Sequence, residues 1–145
     1  MSERVSFHGS AQSGVRRRER DEHGRVRYEH ELPPRFDLAN HSPTGFMWGY
    51  GGSGPSQLAL ALCASVVPDE VALQAYHDVK RKLVEPLRGA DGLPVQEWVL
   101  TERQVYEAIV DACGLDAVVE AERRREARSA ELAERGGIGR PFDDF

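Results

Sequence analysis

Apolar and polar residues alternate along the first third of the chain. After residue 55 the apolar positions recur at three- and four-residue steps, so strands are expected first and helices afterwards. Residues 4 to 8 place Val5 and Phe7 on one side and read as a short strand. Residues 15 to 20 and 25 to 32 flank Asp21-Glu22-His23-Gly24, a hairpin turn by composition. In the second arm Val26, Tyr28, His30 and Leu32 share one face, and Arg25, Arg27, Glu29 and Glu31 share the other. This predicts a half-buried hairpin whose first-arm arginines pair across to Glu29 and Glu31. Pro33-Pro34 ends it.

The segment from Pro55 to Val67 is apolar nearly all round, as expected of a central core helix. Ser53 or Gly54 is expected to cap it, with Pro55 in the first turn, where no N–H is needed. Pro68-Asp69-Glu70 then opens a second helix. Its inward face is Ala72, Tyr76, Val79, Leu83 and Leu87, a span of about 17 residues. Gly89 to Pro94 reads as a loop and Val95 to Leu100 as a strand. Thr101-Glu102-Arg103-Gln104 is a capping box, with Leu100 and Val105 at the staple positions. Gly114 is expected to stop the helix that begins there. Residues 120 to 135 form a charged, solvated helix with Glu–Arg pairs four apart. The expected fold class is therefore α+β: a small, mainly antiparallel sheet on two to three helices, plus a charged C-terminal helix. Residues 1–114 form the compact domain and 115–145 a charged extension with a flexible acidic tail.

Between these halves lies a long irregular segment, residues 35 to 54. It carries Phe36, Phe46, Met47, Trp48 and Tyr50, too many large apolar groups to stay in water. Gly49, Gly51, Gly52 and Gly54 crowd its end, directly before the core helix. Free N–H groups and the positive helix end make that place a seat for an anion. The candidate binding residues are His41, Trp48, Tyr50, Gly51, Gly52, Ser53 and Gly54, with the two rings offering flat faces to a base or sugar. The competing reading is a packing turn whose aromatics complete the core.

Composition narrows the classes. The chain has 145 residues, 40% hydrophobic and 30% charged, with a formal net charge of −5. One soluble domain is expected, with little general affinity for nucleic acid. A local basic patch remains open at Arg16 and Arg18 or at Lys80, Arg81 and Lys82. No apolar run reaches the ~18 residues of a membrane span, and no leader pattern is present, so a cytoplasmic protein is expected. Cys63 and Cys113 read as buried free thiols. The histidines at 8, 23, 30, 41 and 77 lack metal spacing, and no metal or other cofactor is expected. Ser53, His41 and Asp37 can be assembled into a nucleophilic set on paper. Gly-Gly-Ser-Gly-Pro is nevertheless not a nucleophile-elbow signature, and no phosphate-loop signature is present. The terminal Pro141-Phe142-Asp143-Asp144-Phe145 reads as a disordered end.

The run from His41 through Gly45-Phe46-Met47-Trp48-Gly49-Tyr50-Gly51-Gly52-Ser53-Gly54-Pro55 to Ala61 resembles the hallmark of an uncharacterised small-protein family. That family is found in prokaryotic genomes, phages and plasmids, and the resemblance extends over about residues 4 to 113. It implies no assigned activity. It does imply an accessory protein that acts by occupying something else. The expected function is non-catalytic binding, directed at a host protein or complex such as a defence system, or at a small anionic or nucleotide ligand. The alternatives are a nucleotide-handling enzyme using His41 or Ser53, and a nucleic-acid-binding protein.

Overall fold

The computed structural model describes residues 4–136. Its sheet has four antiparallel strands in the order β3-β2-β1-β4. They are β1 (Val5–Ser10), β2 (Gly14–Arg20), β3 (Val26–Glu31) and β4 (Glu97–Thr101). In β1, Val5, Phe7 and Gly9 turn into the core, while Ser6, His8 and Ser10 face the open side. Phe7 sits in register with Arg17 on one side and Leu100 on the other. Gly9 is paired with Trp98, whose indole lies flat over it. A Cβ at Gly9 would stand 2.0 Å from that ring, so this position admits no side chain. Trp98 then meets Trp48 edge-on, with centroids 5.6 Å apart.

The helices cover the core face. α1 (Ser53–Val66) is the central one, with Leu58, Leu60, Leu62 and Cys63 fully buried. Burial pushes the Cys63 thiol well above its ordinary range, leaving it protonated. α2 (Asp69–Val79) runs straight into a π-helical turn at Lys80–Val84, closed by Glu85 N–H donating to Lys80 O at 2.9 Å. α3 (Glu102–Cys113) starts at the expected capping box. Thr101 Oγ1 accepts from Gln104 N–H at 3.1 Å, and Gln104 Oε1 accepts from Thr101 N–H at 2.9 Å. Leu100 and Val105 are both buried, as a staple requires. Gly114, at φ 88°, lets the chain turn, and α4 (Leu115–Gly136) begins at once. Val118 and Ala121 are its buried residues; the rest of its described surface is half or fully open.

The fold class is α+β, as the patterning predicts, with several local corrections. Val26 and Tyr28 were expected inward on one face but are 48% and 56% exposed: β3 is the edge strand, and a register shift at Glu19/Arg20 sets Val26 opposite Arg20, off the face that Tyr28 occupies. Only Leu32, at the end of that face, is buried. The residue capping α1 is Gly52, with no side-chain cap, and Ser53 is already helical. The strand expected from Val95 starts at Glu97. Cys113 is half-buried, not buried. The terminal segment 141 to 145 lies outside the described residues. Gly9→Ala is expected to lower stability by about 2–3 kcal/mol, since the ring above it has nowhere to go. Urea unfolding checks this, and an unchanged midpoint at equal slope would contradict it.

Candidate functional site

The long segment after β3 is bound down at four points. Gln57 of α1, with no exposed surface, faces its first half. Its Oε1 accepts from His41 N–H at 2.7 Å and Ser42 N–H at 3.3 Å. Its Nε2 donates to Pro34 O at 2.7 Å and Ala39 O at 3.0 Å. That uses the whole bonding capacity of a primary amide, and the reversed amide orientation would set N–H against N–H. His41 Nε2 and the Tyr76 hydroxyl form the second anchor at 2.7 Å, and Tyr76 stacks on His77 with centroids 4.1 Å apart. Burial raises the Tyr76 phenol above its ordinary value. The third anchor is Trp48, whose Nε1–H donates to Val95 O at 2.8 Å.

Gly49 is the fourth. Its N–H donates to Val84 O of the π turn at 3.0 Å. Its φ is 85°, and a Cβ there would stand 2.8 Å from both Leu87 O and Pro94 Cα. Only glycine meets both the left-handed backbone and the close approach. The loop therefore docks on the π turn because Gly49 lets the two backbones touch.

What remains outside is specific. Phe36 is 40% exposed and Tyr50 45%. Between the loop and the β1–β2 hairpin runs a groove of about 600 Å³. Its apolar walls include Leu32, Phe36, Pro43, Phe46 and Met47, with Ser13 and Thr44 among its polar residues. At the start of α1 the amides of Gly51, Gly52, Ser53 and Gly54 have no hydrogen-bond partner among the described residues. Gly51 and Ser53 are exposed, Gly52 is half-buried under the Tyr50 ring, and Gly54 is buried against Met47. The carboxylate of Glu85 lies beside Gly51, where an added Cβ would be 3.3 Å from it. This end of the helix already has a negative group of the chain's own.

Residues 12–111 match the model of DUF6166, described as a family of unknown function. The chain belongs to the DUF6166 family. No curated protein and no solved structure matches it. The matched stretch starts in the β1–β2 turn, contains the entire loop and its anchors, and ends inside α3. α4 lies outside the DUF6166 match.

The other residues singled out in this DUF6166 chain are dispersed. Trp48 offers no flat face to a ligand: it is 3% exposed and its N–H is bonded internally. Tyr50 remains displayed. The Ser53, His41 and Asp37 set is not assembled, because His41 is joined to Tyr76 and both Asp37 carboxylate oxygens accept from Arg35. Arg35 also reaches Asp69 at 2.9 Å, from a backbone at φ 57°. Arg16 and Arg18 lie on the open sheet face, both against Glu29, at 3.8 and 2.8 Å. Arg18 holds the Glu29 carboxyl below its ordinary range. Lys80 approaches Glu85 at 4.0 Å, Arg81 is paired with Asp78, and Lys82 is paired with Asp111. Among the described residues no group of three or more His, Cys, Asp or Glu is placed to hold a metal ion, and no helix is long and apolar enough to cross a membrane.

Gln57 and Tyr76 anchor the loop but are absent from the candidate residues; patterning places Tyr76 inward without showing that its hydroxyl meets His41. The signal for Gln57 was a lone amide in an otherwise apolar helix, one turn after the glycines. Gln57→Leu is expected to cost about 3 kcal/mol, because it leaves two amide hydrogens and two carbonyls without partners. Urea denaturation measures the loss, and a change below about 1 kcal/mol would show that the loop holds itself in place.

Proposed function

We propose that this chain is a non-catalytic binding protein whose recognition element is the loop from Pro33 to Gly54. The preferred ligand is an apolar segment of another protein. The observation that carries the reading is a loop anchored on one side and open on the other. Up to Gly49 its backbone and the Trp48 indole are tied inward to Gln57, Val84 and Val95, while Phe36 and the groove walls stay accessible. Holding these apolar groups fixed before binding removes part of the ordering cost of association. A groove of about 600 Å³ accepts one or two large side chains of a partner.

The other readings have less support. A small anion or nucleotide at the start of α1 would meet the Glu85 carboxylate. Catalysis by His41 or Ser53 would need groups that stand apart in this geometry. Nucleic-acid binding would draw on cations that already face Glu29, Asp78, Glu85 or Asp111. As to the partner, the resemblance to proteins of phages and plasmids favours a host protein or complex, a defence system among them.

The test compares the wild-type chain with Phe36→Glu as affinity baits in a lysate of the source cell. The captured protein is then purified and titrated against both. Phe36 is exposed, so the substitution leaves the fold intact. The expected result is one partner bound by the wild type and weakened at least about tenfold by the charge in the groove wall. A partner bound equally by both baits would place recognition on another surface. Turnover of a nucleotide that is lost in Ser53→Ala would replace the proposal with the enzymatic one.

A further inference from the structure

The groove between the loop and the β1–β2 hairpin has a polarity of its own. Of the described residues that line it, Glu31 alone carries a charge. It stands at the end of β3, just before Leu32 turns into the core. Its register partner Arg16 leans to Glu29 instead, at 3.8 Å, and Glu29 also holds Arg18 at 2.8 Å. Arg35, four residues on, is taken by Asp37 and Asp69. The Glu31 carboxylate is therefore left without an ion pair or hydrogen bond among the described residues. Only its main-chain oxygen is engaged, by His30 Nδ1 at 2.8 Å. An unmatched carboxylate beside an apolar groove attracts a cation and repels an anion.

The loop wall adds a second requirement. Residues 43 to 48 line the groove one after another, and from Gly45 to Trp48 the chain neither turns nor bends. Between the anchors at Ser42 and Trp48, one main-chain hydrogen bond is made among the described residues, from Gly45 N–H to Ser42 O at 3.1 Å. The amides of Thr44 and Phe46, and the carbonyls from Pro43 to Met47, have no partner among those residues. A helix laid in the groove keeps its own main-chain groups internal and would cover these without satisfying them. An extended segment brings donors and acceptors of its own.

We propose, on the reading that this groove is the recognition surface, that its occupant is an extended segment of a partner protein in which a large apolar residue is flanked by an arginine or lysine. The apolar side chain enters among Leu32, Phe36 and Met47. The partner's main chain pairs with Thr44 and Phe46, and its cation meets Glu31. An acidic segment of the same shape is turned away, so the charge selects among partners that fit equally well. Glu31 is exposed, and its contribution is accordingly modest and weakened by salt.

Selection from a phage-displayed library of linear peptides, with the whole chain as bait in low salt, tests this. Clones retained by the wild type and released by Phe36→Glu are the groove binders, and their peptides are synthesised for titration. They are expected to place an arginine or lysine within about two positions of a large apolar residue. Their affinity is expected to fall about threefold in Glu31→Gln and about tenfold in Glu31→Arg. Changing the peptide's basic residue to glutamate is expected to weaken binding to the wild type and to restore it to Glu31→Arg. Hydrogen exchange of the Thr44 and Phe46 amides is expected to slow at least about tenfold on binding. Circular dichroism melting checks that each variant is folded. Groove binders that lack a basic residue, an affinity unchanged in Glu31→Arg, or amides that stay fast would each overturn the proposal and leave the groove as a binding surface. Peptides held equally by Phe36→Glu, or no peptide retained at all, would remove the groove reading and the proposal together.

Discussion

One buried amide holds the irregular half of this molecule to the regular half. Gln57 sits where a leucine would satisfy the helix, in a segment with no exposed surface on either side of it. A polar group in that place is costly unless fully bonded. Here the bonding is complete, and every bond goes to backbone of the preceding loop. The same contacts satisfy loop groups from Pro34 to Ser42 that would otherwise be buried without partners. Core helix and loop are thus conditions for each other. This places the origin of the proposed binding surface at the level of packing, one step before any ligand.

The remaining anchors extend that logic. Trp48 gives its N–H to Val95, and Gly49 brings the loop backbone onto the π turn after α2. The π turn matters because its Val84 carbonyl faces the loop while Val84 itself stays in the core. A loop so held has little freedom left to lose, and the apolar residues on its outer side are presented in fixed positions. The charged groups nearby are matched within the chain, most clearly Arg35 with Asp37 and Asp69. Fixed apolar groups and internally matched charges favour a protein partner over a phosphate-bearing one.

Much of the fold was legible in the residues because local chemistry decides it. Thr101 and Gln104 announce a helix start in four residues, and Asp21 to Gly24 announce a hairpin; both stand as read. The apolar run before Val67 identifies the core helix for the same reason. Failures came where tertiary placement overrides pattern. Alternation in Val26-Arg27-Tyr28 marks a strand, but a register shift at this point and the strand's place at the sheet edge leave both apolar side chains exposed. The crowd of glycines before α1 admits two readings from sequence, a seat for a ligand or a packing turn, and residue type alone does not choose between them. At Gly49 and Gly54 the missing Cβ serves close internal contact instead, with Pro94 and Met47. Likewise Trp48 was weighed as a displayed ring and proves to be a core residue. A residue's type gives its reach and polarity, and only the fold tells which neighbours use them.

The central claim is that the loop is immobilised from beneath, and native-state amide hydrogen exchange at His41 and Ser42 tests it most directly. Both amides lie in irregular chain, yet both donate to a fully buried acceptor. The account predicts that they exchange as slowly as the amides of α1, with opening free energies near that of global unfolding. Exchange at the rate of exposed loop amides such as Thr44, while α1 stays protected, would contradict it.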